Sequence, residues 1–456
     1  MQPIRPTSIL VCLIALTLLA GNAIGADPLD LKTAVQRALE QEAEYRSVRA
    51  ELAAVREEKP RARAGLLPTL SASGTYSNNR VKRTLTNGLS DEPDYVSRNY
   101  NLTLKQPLFR RDSWIRYQQA DTRISSAEHQ AEVERVKLIL RVSEQYFYCL
   151  YADAVTQFAR AEVSALEGLL ISVTRGFESG ATTRTDVLDA EARLDSARVK
   201  LIEAEQNADA VRRALESSTG QRIDAIFPIQ PDSLVLRDPN LRIQEWREAA
   251  LATNPEIEAA RENVQLARQE VKLQQAGHYP TLDLIAQHQF ADNETISTLG
   301  ARTTNNLWGL QFNVPLYAGG LVSASIRQAG ARLERAHADL DSRTADISLR
   351  TARAVESLLA SSQRVKALNR AEASARASLT GTEKGVQAGT RSFIDVLNAR
   401  QQLFEAMQSK ARANADFILG LLYLKATTGF ADETAINEAN AFLDRGTAVK
   451  FLDQSL

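Results

Sequence analysis

The amino-acid sequence repeats itself at the scale of a whole domain. GATTRTDVLDAEARL, starting at Gly180, returns roughly 210 positions later as GTRSFIDVLNARQQL, starting at Gly389. At nearly the same offset SSTG at Ser217 returns as ATTG at Ala426, LPTL at Leu67 as YPTL at Tyr279, and QPLF at Gln106 as VPLY at Val314. Solenoids and propellers repeat every 20 to 50 residues or so. A unit this much longer predicts a pseudo-twofold chain in which each half is built to the same plan.

Within each half, proline marks out long helices. It is missing between Pro107 and Pro228 and again after Pro315, in stretches rich in Ala, Leu, Glu, Arg and Gln. The runs Asp112 to Phe177 and Val322 to Gln387 predict single helices of about 65 residues, on the order of 100 Å long. Seven-residue spacing of Leu333, Leu340, Ile347 and Ala354, and again of Leu358 and Val365, predicts supercoiled packing. Each long helix stops at a glycine, Gly180 or Gly389, suited to the left-handed residue that ends a helix. A second helix then runs to Gly220 or Gly429, so each half carries a helical hairpin. Thr183 with Asp186, and Ser392 with Asp395, have the spacing of a capping box at the start of that second helix. Shorter helices, roughly Leu29 to Lys59 and Ile243 to Gln275, precede the strands.

The strand candidates alternate. Trp308, Leu310, Phe312 and Val314 interleave with Gly309, Gln311 and Asn313, and Tyr100, Leu102 and Leu104 with Asn101, Thr103 and Lys105. Leu282 to Phe290 and Leu70 to Tyr76 follow the pattern less cleanly. A soluble amphipathic hairpin pair would alternate too. The aromatic residues, the polar second face and a secretory leader favour membrane strands of about 10 residues, apolar outward and polar inward. Pro68 and Pro280 open strands and Pro107 and Pro315 close them, where a missing ladder donor does least harm. Two strand pairs are too few to close a barrel, which takes about eight strands at least. Lipid tolerates no open edge, so a membrane reading requires several chains to pool their strands.

The leader is read from Arg5, the apolar run Ile9 to Leu19 and the small residues Ala23, Gly25 and Ala26. Cys12 falls inside it, and Asn22 stands where a lipoprotein would need a lipidated cysteine, so no lipid anchor is expected. Cys149 is then left without an intramolecular disulfide partner. With 55 basic against 56 acidic residues, nothing in the charge recommends nucleic acid as a partner. His129, His278, His288 and His337 have no ligand-spaced companions, and neither a phosphate-binding loop nor a nucleophile motif is present. No metal, no cofactor and no enzyme activity are expected. The domain plan is a signal peptide at 1–26, a first repeat at 27–220, a connector at 221–242, a second repeat at 243–429 and a C-terminal segment at 430–456. Strands are placed at about 67–86, 98–109, 279–293 and 305–317, and the helical hairpins at 110–219 and 320–428.

The duplication, strand pairs, hairpins and the repeated glycine, aspartate, Val-Leu pattern resemble the TolC-like outer-membrane factors of type I secretion and drug efflux. The resemblance implies a mainly α fold with β, in which three chains pool about twelve strands in a transmembrane β-barrel. Their hairpins form a periplasmic α-barrel, with a collar built from Ile223 to Leu241 and the tail after Gly429. It implies a passive exit channel in the outer membrane, closed at the hairpin tips and opened by a periplasmic adaptor and an inner-membrane ABC, RND or MFS transporter. By the same resemblance Asp395 matches the first of two gate aspartates, whose second position is Asn398 here. Arg391 matches a constriction arginine and Asp186 its acidic partner, while Val386 replaces a tyrosine of that latch. A weaker latch and a weaker acidic ring are therefore expected. The rival reading is a periplasmic adaptor or coiled-coil scaffold without a pore, which would carry one hairpin and several compact β domains.

Overall fold

The computed structural model describes residues 28–84, 86–92, 94–230, 234, 240–295 and 298–451. The signal segment and Cys12 lie outside the described residues, as does part of the collar segment.

The first half runs α1 (Leu31–Gln41), α2 (Ala43–Arg56), α3 (Glu58–Ala64), β1 (Thr69–Arg80), β2 (Arg83–Thr84), β3 (Ser90–Asp91), β4 (Asp94–Phe109), α4 (Arg111–Glu178) and α5 (Arg184–Thr219). After β5 (Ala225–Ile226) the second half follows as α6 (Ile243–Thr253), α7 (Pro255–Gln275), β6 (Thr281–Thr295), β7 (Thr298–Asn313), α8 (Leu321–Gln387) and α9 (Phe393–Thr427). The chain closes with α10 (Glu433–Asn440) and β8 (Val449–Lys450). The two hairpins match closely, with 68 and 36 residues in α4 and α5 against 67 and 35 in α8 and α9. At 1.5 Å per residue each long helix spans about 100 Å.

The segment before the first strands, read from sequence as one helix, is three. Glu42 breaks it in an extended conformation, its side chain accepting the Tyr45 N–H and pairing with Arg141 of α4. The matching break in the second half is Asn254, followed by Pro255. There Asn254 Nδ2 donates to the Thr427 carbonyl at 2.8 Å and Thr253 Oγ1 to that of Thr428 at 2.6 Å, so the helix break clasps the end of α9.

β1, β4, β6 and β7 form one antiparallel sheet in that order. The β4–β6 pairing joins the two halves, with Tyr100 opposite Phe290 and Leu104 opposite Ala286. Among the described residues, the outer edges of β1 and β7 pair with no further strand.

The main core lies midway along the long helices. Leu138, Ile139, Val142, Tyr146 and Phe147 of α4 pack with Val355 and Leu358 of α8 and Phe417, Ile418 and Leu422 of α9. α1, α10, Ile226 of β5 and Leu443 just after α10 close over them, with Leu31, Val35 and Ile436 contributed by the two helices. The buried Tyr146 hydroxyl donates to the Leu29 carbonyl at 3.0 Å, tying the start of the described chain to this belt. β5 pairs with β8 on the same level, with Ile226 packed into this belt. On α8 the heptad seam is buried at Ile347, Ala354, Leu358 and Val365 and only half-buried at Leu333 and Leu340. The upper helix therefore leaves part of its apolar seam uncovered in the single chain. Among the described residues no helix is long and apolar enough to cross a membrane.

Candidate functional site

Two surfaces of the chain have a chemistry beyond packing: the sheet faces and the hairpin tips. Direct strand partners share a face, and the pairing gathers most of the large apolar residues on one, together with His288, Thr304 and Asn306, and leaves Leu307 on the other. One face carries Leu70, Tyr100, Leu102, Leu104, Trp308, Leu310 and Phe312, all of them exposed. Trp308 is 83% accessible, which a water-soluble protein has no reason to tolerate across a whole sheet. The other face is polar and internally bonded. Gln287 Nε2 donates to Asn101 Oδ1 at 2.7 Å, Asn101 Nδ2 to Thr103 Oγ1 at 3.0 Å, and Asn79 Nδ2 to Ser97 Oγ at 3.1 Å. Such a sheet is apolar towards lipid on one side and wettable on the other.

The sheet meets the helices at a charge cluster centred on the buried Asp283. Arg110, the residue before α4, grips Asp283 of β6 with Nε at 2.9 Å and Nη2 at 2.6 Å, and Lys105 Nζ adds a third contact at 3.1 Å.

At the far end the two tips are built alike. Gly180 and Gly389 hold φ of 76° and 70°, a region open to glycine without the Cβ clash that other residues meet. The Ala181 N–H reaches back to the Gly176 carbonyl at 2.7 Å, and the Thr390 N–H to that of Gly385 at 2.9 Å. Both capping boxes are present. The Thr183 N–H donates to Asp186 Oδ2 at 2.9 Å and the Asp186 N–H to Thr183 Oγ1 at 3.3 Å; the equivalent bonds between Ser392 and Asp395 are 2.9 and 3.2 Å. The bond from the Thr183 backbone, with that from its hydroxyl, holds the Asp186 carboxyl below its ordinary value. For Asp395 the Ser392 bonds act first and the charge of Arg391 adds to them.

The residues matched to the gate all sit at this end, and within the single chain each is engaged by its own neighbours. Among the described residues no hydrogen bond or ion pair joins Asp186 to Arg391; Asp186 is engaged by Thr183. The Arg391 stem lies across Gly385, where an added Cβ would come within 2.6 Å of its Cγ. Asn398 instead faces the other hairpin, its Oδ1 3.5 Å from Arg193 Nη1, while Arg193 Nε reaches Asp189 at 3.2 Å. Beside this contact Leu397 packs with Leu166, Leu194 and Ala197, so the hairpins touch at Asn398 through an apolar cluster edged by one arginine.

Sequence reasoning passed over Gly176, Gly385 and Arg193. The glycines share the repeat offset and stand four residues before the turn glycines, which was signal enough. At Gly176 an added Cβ would lie 2.9 Å from Thr182 Cγ2, so both long helices need a bare position where the turn folds back. Arg193 had no such signal, because its partner belongs to the other repeat. Among the described residues no cluster of His, Cys, Asp and Glu is arranged to hold a metal ion.

Comparisons with known proteins agree with this geometry. The profile of the family described as outer membrane efflux protein matches residues 34–221 and 246–429, one stretch in each repeat. The chain is 31% identical to the proteases secretion protein PrtF of Dickeya chrysanthemi, covering 96% of this chain and 95% of that one. It is 28% identical to the outer membrane protein TolC of Vibrio cholerae, covering 93% and 95%. Its fold superposes on the outer membrane protein VceC of Vibrio cholerae with a TM-score of 0.71 at 19% identity, over 88% of this chain and 96% of that one. With the doubled hairpin, the two-faced sheet and matches in both repeats, the chain is an outer-membrane protein of the outer membrane efflux protein family.

Proposed function

We propose that three copies of this chain close a β-barrel in the outer membrane and form a passive exit duct, with the six hairpins making a tube on the periplasmic side. The observation that carries this reading is the sheet: one face is exposed and mainly apolar, the other mainly polar, and among the described residues the outer edges of β1 and β7 pair with no strand. In lipid each unpaired backbone group costs several kcal/mol. Sister chains that pair β7 of one copy with β1 of the next remove that cost. The polar face then lines water.

The tips are the aperture. Asp186, Arg391, Asp395 and Asn398 all lie at the hairpin ends, with Gly180, Thr183, Gly389 and Ser392 fixing the turns that present them. An adaptor docking in the grooves between hairpins, and an energised inner-membrane ABC, RND or MFS transporter, would supply the work of opening. The similarity to PrtF, named for secretion of proteases, supports protein export by the type I route as the first substrate class to test.

Planar-bilayer recording of the purified full chain tests the duct. Discrete steps of current are expected, larger in the Arg391→Ala variant because the aperture loses a side chain that narrows it. Unchanged conductance in that variant would remove Arg391 from the aperture, and absence of any current would remove the pore.

A further inference from the structure

The apolar sheet face ends in a charged row that the duct does not use. Strand pairing sets Arg98, Asp292 and Arg302 side by side, on the same face as Leu102, Trp308 and Phe312. Arg302 Nε lies 3.5 Å from Asp292 Oδ2, and the Arg98 guanidinium sits 5.7 Å from the Tyr76 ring centre. Among the described residues no carboxylate pairs with Arg98. The row therefore carries two cations against one anion and is turned outward, with the Arg302 side chain 76% accessible.

Its height is set by the strands. From Phe312 to Arg302 is about ten residues, or about 33 Å along the strand at 3.3 Å per residue. A tilt of about 40° reduces this to about 25 Å, the height of the apolar band on an outer-membrane barrel. Both long helices leave from the Phe109 and Asn313 end of the sheet. The charged row is thus at the opposite membrane surface, level with the headgroups of the leaflet that faces away from the helices.

We propose that Arg98 and Arg302 bind the phosphate groups of the phosphorylated glycolipid that forms this outer leaflet. The inference rests on the reading of the sheet as a barrel wall. Guanidinium groups bind phosphate through paired, charge-assisted hydrogen bonds. Two strand spacings separate Arg98 from Arg302, about 10 Å, with Asp292 between them, so each arginine addresses its own phosphate. The Tyr76 ring keeps the Arg98 side chain extended over the face and away from the polar interior.

The test uses the full chain reconstituted in phosphatidylethanolamine vesicles doped with lipid A, either phosphorylated or enzymatically dephosphorylated. After mild detergent extraction, retained lipid A per chain is counted by mass spectrometry. Phosphorylated lipid should be retained several-fold more than the dephosphorylated form, because only it offers the charge-assisted bonds. The Arg98→Gln, Arg302→Gln double variant should lose that preference, and Arg335→Gln, on an exposed face of α8, should keep it. Equal retention of both lipids by the wild-type protein overturns the site whether or not the variants fold, and so does an unaltered preference in a double variant that inserts. Failure of the wild-type chain to insert in either vesicle would instead bring down the barrel reading, and this site with it.

Discussion

Arg110 and Asp283, 173 residues apart in the chain, form a two-pronged ion pair where the sheet hands over to the helices. Arg110 precedes α4 of the first repeat and Asp283 lies in β6 of the second, so the contact fixes the long helix of one half to the strand of the other. The Asp283 side chain is only 4% accessible. Removing its carboxylate leaves Arg110 and Lys105 without their shared hydrogen-bonded partner, with Asp112 as the remaining acidic neighbour of Arg110. Because Arg110 and Lys105 keep 29% and 42% of their side-chain surface in water, Asp283→Leu should cost on the order of 1 kcal/mol. The check is the temperature at which the assembled protein dissociates in a heat series on a semi-native gel; an unshifted midpoint would show that the junction is held by something else.

At the waist, Glu372 of α8 lies 2.8 Å from both Lys410 of α9 and Arg376. The hydrogen bond from Lys410, followed by that from Arg376, holds its carboxyl below the usual 4.5. Because the folded value is lowered, the stabilisation is complete above pH 4.5 and disappears as the pH falls through the folded value. Melting temperatures of wild type and Glu372→Gln should differ by a constant amount at neutral pH and converge below about pH 4.5. A difference that changes around neutrality would contradict the assignment.

Cys149 is buried in the waist core, and burial pushes its thiol up to about 12. It should therefore resist maleimide in the folded protein at about pH 8 and label fully after denaturation. Rapid labelling of the native protein would mean that the belt opens on its own.

If Asn398 belongs to the aperture, its contact with Arg193 can be strengthened. Asn398→Asp places a carboxylate opposite a guanidinium now 3.5 Å from an amide oxygen. An exposed pair of this kind is worth up to about 1 kcal/mol, so closed-state dwell times should lengthen by up to about fivefold. Single-channel dwell-time histograms read this directly, and unchanged dwell times would place Asn398 outside the gate.

The strands and hairpins could be read from sequence because their signals are local: alternation over a few residues, absence of proline and a glycine at each turn. The break at Glu42 could not, since no glycine or proline marks it and its Arg141 partner is roughly a hundred residues away. Nor could the partners of the tip residues. Spacing alone was enough to suggest the caps at Thr183 and Ser392, whereas Arg193 finds Asn398 only after both hairpins have packed side by side around Leu397. Interactions across the repeats are tertiary, and a repeat pattern aligns equivalent positions without saying which of them meet.

The most direct test of the central claim is the mass of the full chain extracted from membranes in mild detergent, measured by native mass spectrometry. Among the described residues the outer edges of β1 and β7 pair with no strand, which predicts an oligomer, and the resemblance to the TolC-like factors sets the expected species at three chains. A stable, detergent-independent monomer would mean that those edges need no partner, and the duct would have no wall.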